Sequence, residues 1–254
     1  MLTGATGGVG EALVQELTGR GATLLLTGRR PDALTRLAAT FGAQRLVADL
    51  ADPFDRRRLG EALAQFQADT LIHNAAIQFA LDFSQDDPDL LAQRALYELD
   101  VDLGAPIALT AAALPCLGAA AARLGRPGAL VFVTSGLAIA PKQSAPVYCT
   151  AKAGLRHFTR ALRYQLQDAG LSLTAHEVVL PMVDTPMNRS AAPGKMTPAA
   201  AARALARGVA RGHAEVLVGP TRWLPLMSRL APGLTRRLLR SMGTTTPSSL
   251  PAAT

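Results

Sequence analysis

The chain has little cysteine. Only Cys116 and Cys149 occur in 254 residues, too few for a disulfide framework and without metal-ligand spacing. A reducing, cytoplasmic setting is the expectation. No basic n-region followed by an apolar h-region opens the sequence, so nothing signals secretion. Aromatic residues make up 4%, and the basic stretch near the C-terminus lacks interleaved aromatics and any recognised binding motif, which argues against nucleic acid as a partner. Charge is missing from Leu103 to Ala122 (LGAPIALTAAALPCLGAAAA), a length that would span a membrane. Alanine dominates it, however, and Gly104, Pro106, Pro115 and Gly118 interrupt it. It predicts a buried helix of a large soluble domain. A strand is also short. Only Met1, Leu2 and Thr3 precede the glycine-rich turn at Gly4, so either the native N-terminus is longer, which we favour, or a stunted strand is tolerated.

Acid is scarce in the last quarter. Between Arg203 and Arg240 eight arginines stand against Glu215 alone, which accounts for the whole net charge of +7. That asymmetry describes a surface rather than a fold.

What is present is alternation. Apolar runs at 22–28, 44–50, 69–75, 128–135, 171–179 and 214–219 are separated by segments with apolar residues three and four apart. Strands alternating with helices imply βαβ crossovers and a doubly wound sheet. The near-continuous hydrophobicity of the strands fits a sheet covered on both faces. The expected architecture is α/β, with a Rossmann-type, mostly parallel seven-stranded sheet. Residues 1–221 form that domain, 222–243 a basic amphipathic extension, and 244–254 a disordered tail.

In TGATGGVG the glycines at 4, 7, 8 and 10 stand between the first strand and the first helix. Glycine permits the tight turn and close backbone approach to a pyrophosphate, and the helix N-terminus favours the same phosphates. After the second strand an NAD site usually offers an acid for the ribose 2′-hydroxyl. Here Arg29 and Arg30 stand instead, which suits the 2′-phosphate of NADP(H) over NAD(H). The plainer reading of both is a pair of solvated arginines at a helix start.

Tyr148 and Lys152, four residues apart in VYCTAKAGL, share one face of a helix. Ser135 ends the strand VFVTS, where the carboxyl edge of the sheet meets a cofactor. YxxxK alone is a common accident. Together with the glycine turn, the strand-terminal serine and HNAA after the fourth strand, the set resembles the short-chain dehydrogenase/reductase family over about residues 1–219, and its NADP-preferring bacterial members in particular.

The resemblance implies roles. Gly4, Gly8 and Gly10, with Thr6, Gly7 and Val9 between them, would bind the pyrophosphate. Asp49 and Leu50 would flank the adenine, with Asn74, Ala75 and Ala76 near the adenosine. Tyr148 would be the general acid or base, Ser135 would polarise the substrate oxygen, and Lys152 would hold the nicotinamide ribose. Pro181, Val183 and Thr185 would meet the nicotinamide end, Thr185 at its carboxamide. A phenol is a poor base at neutral pH, and a nearby ammonium is expected to lower its pKa. A homodimer or homotetramer built on the fourth and fifth helices is also implied.

The chain departs from the family in three places. Asp102 stands where the family has a catalytic asparagine, and its charge would stabilise the Lys152 ammonium and offset part of that ammonium's pull on Tyr148. Ala76 replaces a glycine, and Met182 follows Pro181 where glycine is usual. The stretch HEVVLPMVDTPM is also similar to a bacterial subgroup labelled with D-alanine esterification, a label that names no substrate.

Candidate substrate residues are Gln78, Phe79, Leu137, Ile139, Met182, Met187 and Met196, beneath a lid at about 185–200. They are largely apolar and suggest a lipophilic carbonyl or secondary alcohol. For residues 222–242 two readings stand: a helix on an anionic membrane surface, or packing against the subunit with its arginines solvated. The rival function from another class is an NADP(H)-binding sensor or scaffold with little turnover.

Overall fold

The computed structural model describes residues 1–188 and 194–240. The middle of the expected lid, the last residues of the basic extension and the C-terminal tail lie outside the described residues. The chain runs α1 (Gly8–Gly19), β1 (Leu25–Gly28), α2 (Pro31–Phe41), β2 (Gln44–Val47), α3 (Pro53–Gln65) and β3 (Thr70–His73). It continues through α4 (Pro88–Leu99), α5 (Ala105–Leu124), β4 (Gly128–Ser135), α6 (Pro146–Asp168) and β5 (Leu173–Leu180). Last come α7 (Pro198–Ala210), β6 (Glu215–Leu217), α8 (Leu224–Leu230) and α9 (Pro232–Arg240).

Local sequence explains many of the boundaries. Proline opens α2, α3, α4, α6 and α7 within their first two positions, where its missing N–H costs nothing and its fixed φ suits the helix. Asp52, Asp87 and Thr197 cap three of these helices by accepting N–H groups of Phe54, Leu90 and Ala200.

Every paired strand is parallel, in the order β2-β1 and β3-β4-β5-β6. Leu2 joins the two groups. It bridges Leu26 on one side and Ile72 on the other, and its N–H reaches Leu25 O at 2.9 Å. The expected seven-stranded sheet is therefore corrected to six strands plus this bridge, among the described residues. The three residues before Gly4 are too few to extend a ladder, yet their backbone groups are paired on both sides and Leu2 is fully buried.

Helices cover both faces. Leu59 and Leu63 of α3, Leu109 and Leu117 of α5 and Leu155 of α6 fill one core. Leu13 and Val14 of α1, Leu34 of α2 and Leu205 of α7 fill the other. The uncharged stretch read as a buried helix is mostly α5, whose Leu109, Ala113 and Leu117 are buried in the first core.

Between α4 and α5 the chain takes one π-helical turn, Asp100–Gly104. The wider turn rotates the following residues, and Val101 and Asp102 are turned inward and buried. The C-terminal helices α8 and α9 fold back on the domain, where Leu224 and Leu239 pack with Ala140 and Ile139. The Gln143 N–H also donates to Arg240 O at 3.0 Å. Packing against the body thus holds for this segment. Leucines and arginines lie on different sides of α9, yet packing does not cover the whole apolar side: Trp223, Leu226, Leu230, Leu234 and Leu238 of the segment are exposed, as are its five arginines.

Candidate active site

A cleft of about 1240 Å³ runs along the carboxyl edge of the sheet from the glycine loop to α9. All six expected loop residues, Gly4, Thr6, Gly7, Gly8, Val9 and Gly10, line it. Gly4 has φ +64°, and a Cβ there would sit 2.6 Å from the Ala75 Cα. A Cβ on Gly10 would meet the Gly4 carbonyl oxygen at 2.1 Å. These two glycines are required by the chain's own packing. Gly7 differs, since a Cβ there would meet nothing closer than 3.4 Å. The space above it is open, and the first turn of α1 presents its unpaired N–H groups there. The cradle fits a pyrophosphate-bridged dinucleotide.

Asn74 braces this loop. Its side-chain amide donates to Thr3 O at 3.1 Å and Gly4 O at 3.2 Å, while Thr3 Oγ1 accepts the N–H groups of Asn74 and Ala75. Farther along, Arg29, Arg30, Asp49, Leu50, Ala75 and Ala76 line the same cleft. Arg30 donates to the Thr6 carbonyl, and Arg29 donates to the Tyr97 hydroxyl, which in turn donates to Asp49 Oδ2 at 2.9 Å. Tyr97 therefore fixes both the basic and the acidic group at this end of the cleft. No feature of the sequence marked it.

At the other end Ser135 closes β4, and Tyr148 and Lys152 project from the first turns of α6 into the cleft. The Lys152 Nζ lies 5.4 Å from the centre of the Tyr148 ring. Pro181, Val183 and Thr185 line the cleft here as expected. Asp102 does not line it. It stands behind the wall, fully buried, accepting the Ile77 N–H at 2.8 Å and lying 3.3 Å from Lys152 Nζ.

Burial sets the electrostatics. The Asp102 carboxyl is held above its usual range by burial, against the pull of Lys152 and the Ile77 N–H. The Tyr148 phenol is also raised, first by burial and then by the Asp102 charge, with a hydrogen bond to Ser135 opposing. The lowering expected from a neighbouring ammonium is therefore corrected: Lys152 is paired with Asp102, and the phenol stands above its ordinary value. A second acid, Glu98 of α4, is fully buried four residues before Asp102, with its pKa pushed up to about 8. A charged residue in YELD gave no sign of this.

Of the candidate substrate residues, Gln78, Leu137, Met182 and Met187 line the cleft. Phe79 does not, because it packs with Leu81 and Val147 in a small core of its own. Ile139 supports the α8–α9 contact instead, and Met196 pairs with Val183 as a bridge beside the cleft. The sequence missed six contributors. Lys142 is buried in the wall, its Nζ 3.3 Å from Gln78 Oε1. Trp223, Leu224, Met227, Leu238 and Leu239 close the cleft from above.

The family model for short chain dehydrogenases matches residues 1–195. An uncharacterized oxidoreductase, DltE, of Bacillus subtilis is 33% identical over 193 residues, covering 74% of this chain and 73% of that protein. An Arabidopsis thaliana protein named 11-beta-hydroxysteroid dehydrogenase-like 2 is 27% identical over 257 residues, covering 94% and 79%. Among solved structures, a Burkholderia cenocepacia short chain dehydrogenase in complex with NADP superimposes with a TM-score of 0.79 at 22% identity, covering 94% of this chain and 95% of that one. A Sphingobium yanoikuyae short-chain dehydrogenase in complex with NADPH gives 0.77 at 23% identity, covering 96% and 97%. With that match over most of its length, the chain belongs to the short-chain dehydrogenase/reductase family and is an NAD(P)-dependent oxidoreductase.

Proposed function

We propose that the protein interconverts a carbonyl and a secondary alcohol on a lipophilic small molecule, using NADP(H) in preference to NAD(H). The observation that carries this reading is the placing of Ser135, Tyr148 and Lys152 on one wall of the cleft that the glycine cradle opens. When bound, the nicotinamide supplies or accepts the hydride. Tyr148 gives the proton to the substrate oxygen in reduction and takes it in oxidation, while Ser135 polarises that oxygen. Lys152 orients the ribose, and the glycine loop holds the pyrophosphate. Arg29 and Arg30, both exposed at the adenosine end, meet the 2′-phosphate with charge-assisted hydrogen bonds.

An apolar substrate follows from Leu137, Met182, Met187, Leu224, Met227 and Leu239 around the far end of the cleft. The relative named for a hydroxysteroid dehydrogenase is in keeping with that class. A screen of NADPH oxidation over aldehydes, ketones and quinones, with Tyr148→Phe as control, tests the reading. Turnover that survives Tyr148→Phe undiminished would refute the role of the phenol.

A second reading, an NADP(H)-binding sensor with little turnover, draws on one observation: burial and Asp102 hold the Tyr148 proton tightly. Tight NADPH binding with no oxidation of any substrate in the screen would favour it.

The assembly is a homodimer or homotetramer that uses the uncharged outer face of α5, where Ile107, Ala108, Ala111 and Ala112 are exposed. The setting is cytoplasmic. A peripheral contact with anionic membrane through residues 222–242 is supported by Trp223 and Leu230, 54% and 73% exposed among arginines with no acid nearby in sequence. Co-sedimentation with phosphatidylglycerol but not phosphatidylcholine vesicles tests it.

A further inference from the structure

Behind Tyr148 lies a group of charges larger than the proposed chemistry requires. Glu98, near the end of α4, has no exposed surface, and among the described residues only the Phe79 backbone N–H approaches its carboxyl, without closing a well-formed hydrogen bond on either oxygen. Four residues on, within the π-helical turn that turns it inward, Asp102 is equally buried. Its carboxylate is paired with Lys152. Two buried carboxylates so placed repel each other, and both cannot ionise without a large penalty.

The surroundings decide which one keeps the proton. Asp102 accepts the Ile77 N–H and lies 3.3 Å from the Lys152 ammonium. Glu98 has the Phe79 N–H and, at longer range, the cations of Lys152 and Lys142, but no ion pair among the described residues, so the difference between the two acids is the direct Lys152 contact. Arg94, one turn earlier on α4, stacks over Phe79. From α6, Tyr148 and Cys149 also face this group.

We propose that Glu98 keeps its proton at neutral pH and so acts as a positioning residue. It lets Asp102 alone carry the negative charge beside Lys152, and thereby sets the pH at which Tyr148 exchanges its own proton. This rests on Tyr148 being the general acid or base. Below about pH 8 the Glu98 carboxyl is neutral and leaves Tyr148 undisturbed; above it, the new charge raises the phenol further. The effect reaches the reacting atoms only through Tyr148, because Glu98 itself does not line the cleft.

Infrared spectroscopy of the full-length protein, with glutamate isotopically labelled, tests the first part without any turnover. A protonated carboxyl band that shifts with the label should be present at neutral pH, should bleach above about pH 8, and should be missing in Glu98→Gln. The second part is read from the pH–rate profile for alcohol oxidation. In Glu98→Gln its alkaline rise should begin about one pH unit lower than in the wild type. A purely structural role would lower the rate at every pH and leave the profile in place.

Absence of the labelled band at neutral pH in the wild type, a measurement that needs no variant to fold, overturns the proposal. So does a Glu98→Gln profile that does not move. Full activity in Tyr148→Phe would instead overturn the acid–base reading, while the infrared result would stand by itself.

Discussion

The Lys152 ammonium lies 3.3 Å from the Asp102 carboxylate, in a spot where neither side chain is more than 3% exposed. Asp102 raises the affinity of Tyr148 for its proton. In Asp102→Asn that influence is gone while the shape of the side chain is kept. The alkaline rise of alcohol oxidation should move to lower pH, with a gain of roughly several-fold at neutral pH. The pH–rate profiles of variant and wild type check this, and coincident profiles would rule it out.

The adenosine end carries a second expectation. Arg29→Ala and Arg30→Ala each remove a charge-assisted hydrogen bond to a 2′-phosphate, worth about 1.5–3 kcal/mol or roughly ten- to a hundredfold in Kd. NADPH should weaken by that amount and NADH hardly at all, as followed by fluorescence titration. Equal losses for the two coenzymes would show that the arginines do not select between them.

Two glycines of α1 should respond in opposite ways to the same change. In Gly10→Ala the new methyl falls 2.1 Å from the Gly4 carbonyl oxygen, so the loop must move and coenzyme binding should be lost. At Gly19 nothing lies within 4 Å, and Gly19→Ala should stabilise the fold by about 0.5–1 kcal/mol through helix propensity. Thermal melts and NADPH titrations of both variants check the contrast.

Glu98 also ties stability to pH. Its folded pKa is pushed up to about 8 from an ordinary value of 4.5, so the folded protein keeps a proton that the unfolded chain releases. The contribution is fully favourable below about pH 4.5 and is lost progressively up to about pH 8. Glu98→Gln has no such dependence. The Tm of the variant relative to the wild type should therefore rise across that window and level off above it, as thermal melts at stepped pH will show.

Much of this was legible in the chain. Five of the six apolar runs contain a strand and the run at 171–179 covers all of β5 but Leu180, because parallel strands covered on both faces leave a continuous signal. The glycine cradle, Ser135, Tyr148 and Lys152 meet in one cleft because helix spacing and strand ends are local properties. Long-range features were not legible. Phe79 looks like any apolar cleft residue until Leu81 and Val147 are seen to enclose it. Glu98 reads as a solvated charge until α4 is seen to bury it. The offsetting effect of Asp102 on Tyr148 was legible, but the net upward shift of the phenol was not, since it comes first from burial, which spacing along the chain does not reveal.

The helices α8 and α9 sit over the end of the cleft proposed to take the substrate, yet they fall beyond residue 195, where the family match stops. Under the proposed function, a stretch outside that match thus supplies part of the wall that would meet the substrate, beside Leu137, Met182 and Met187 from within it.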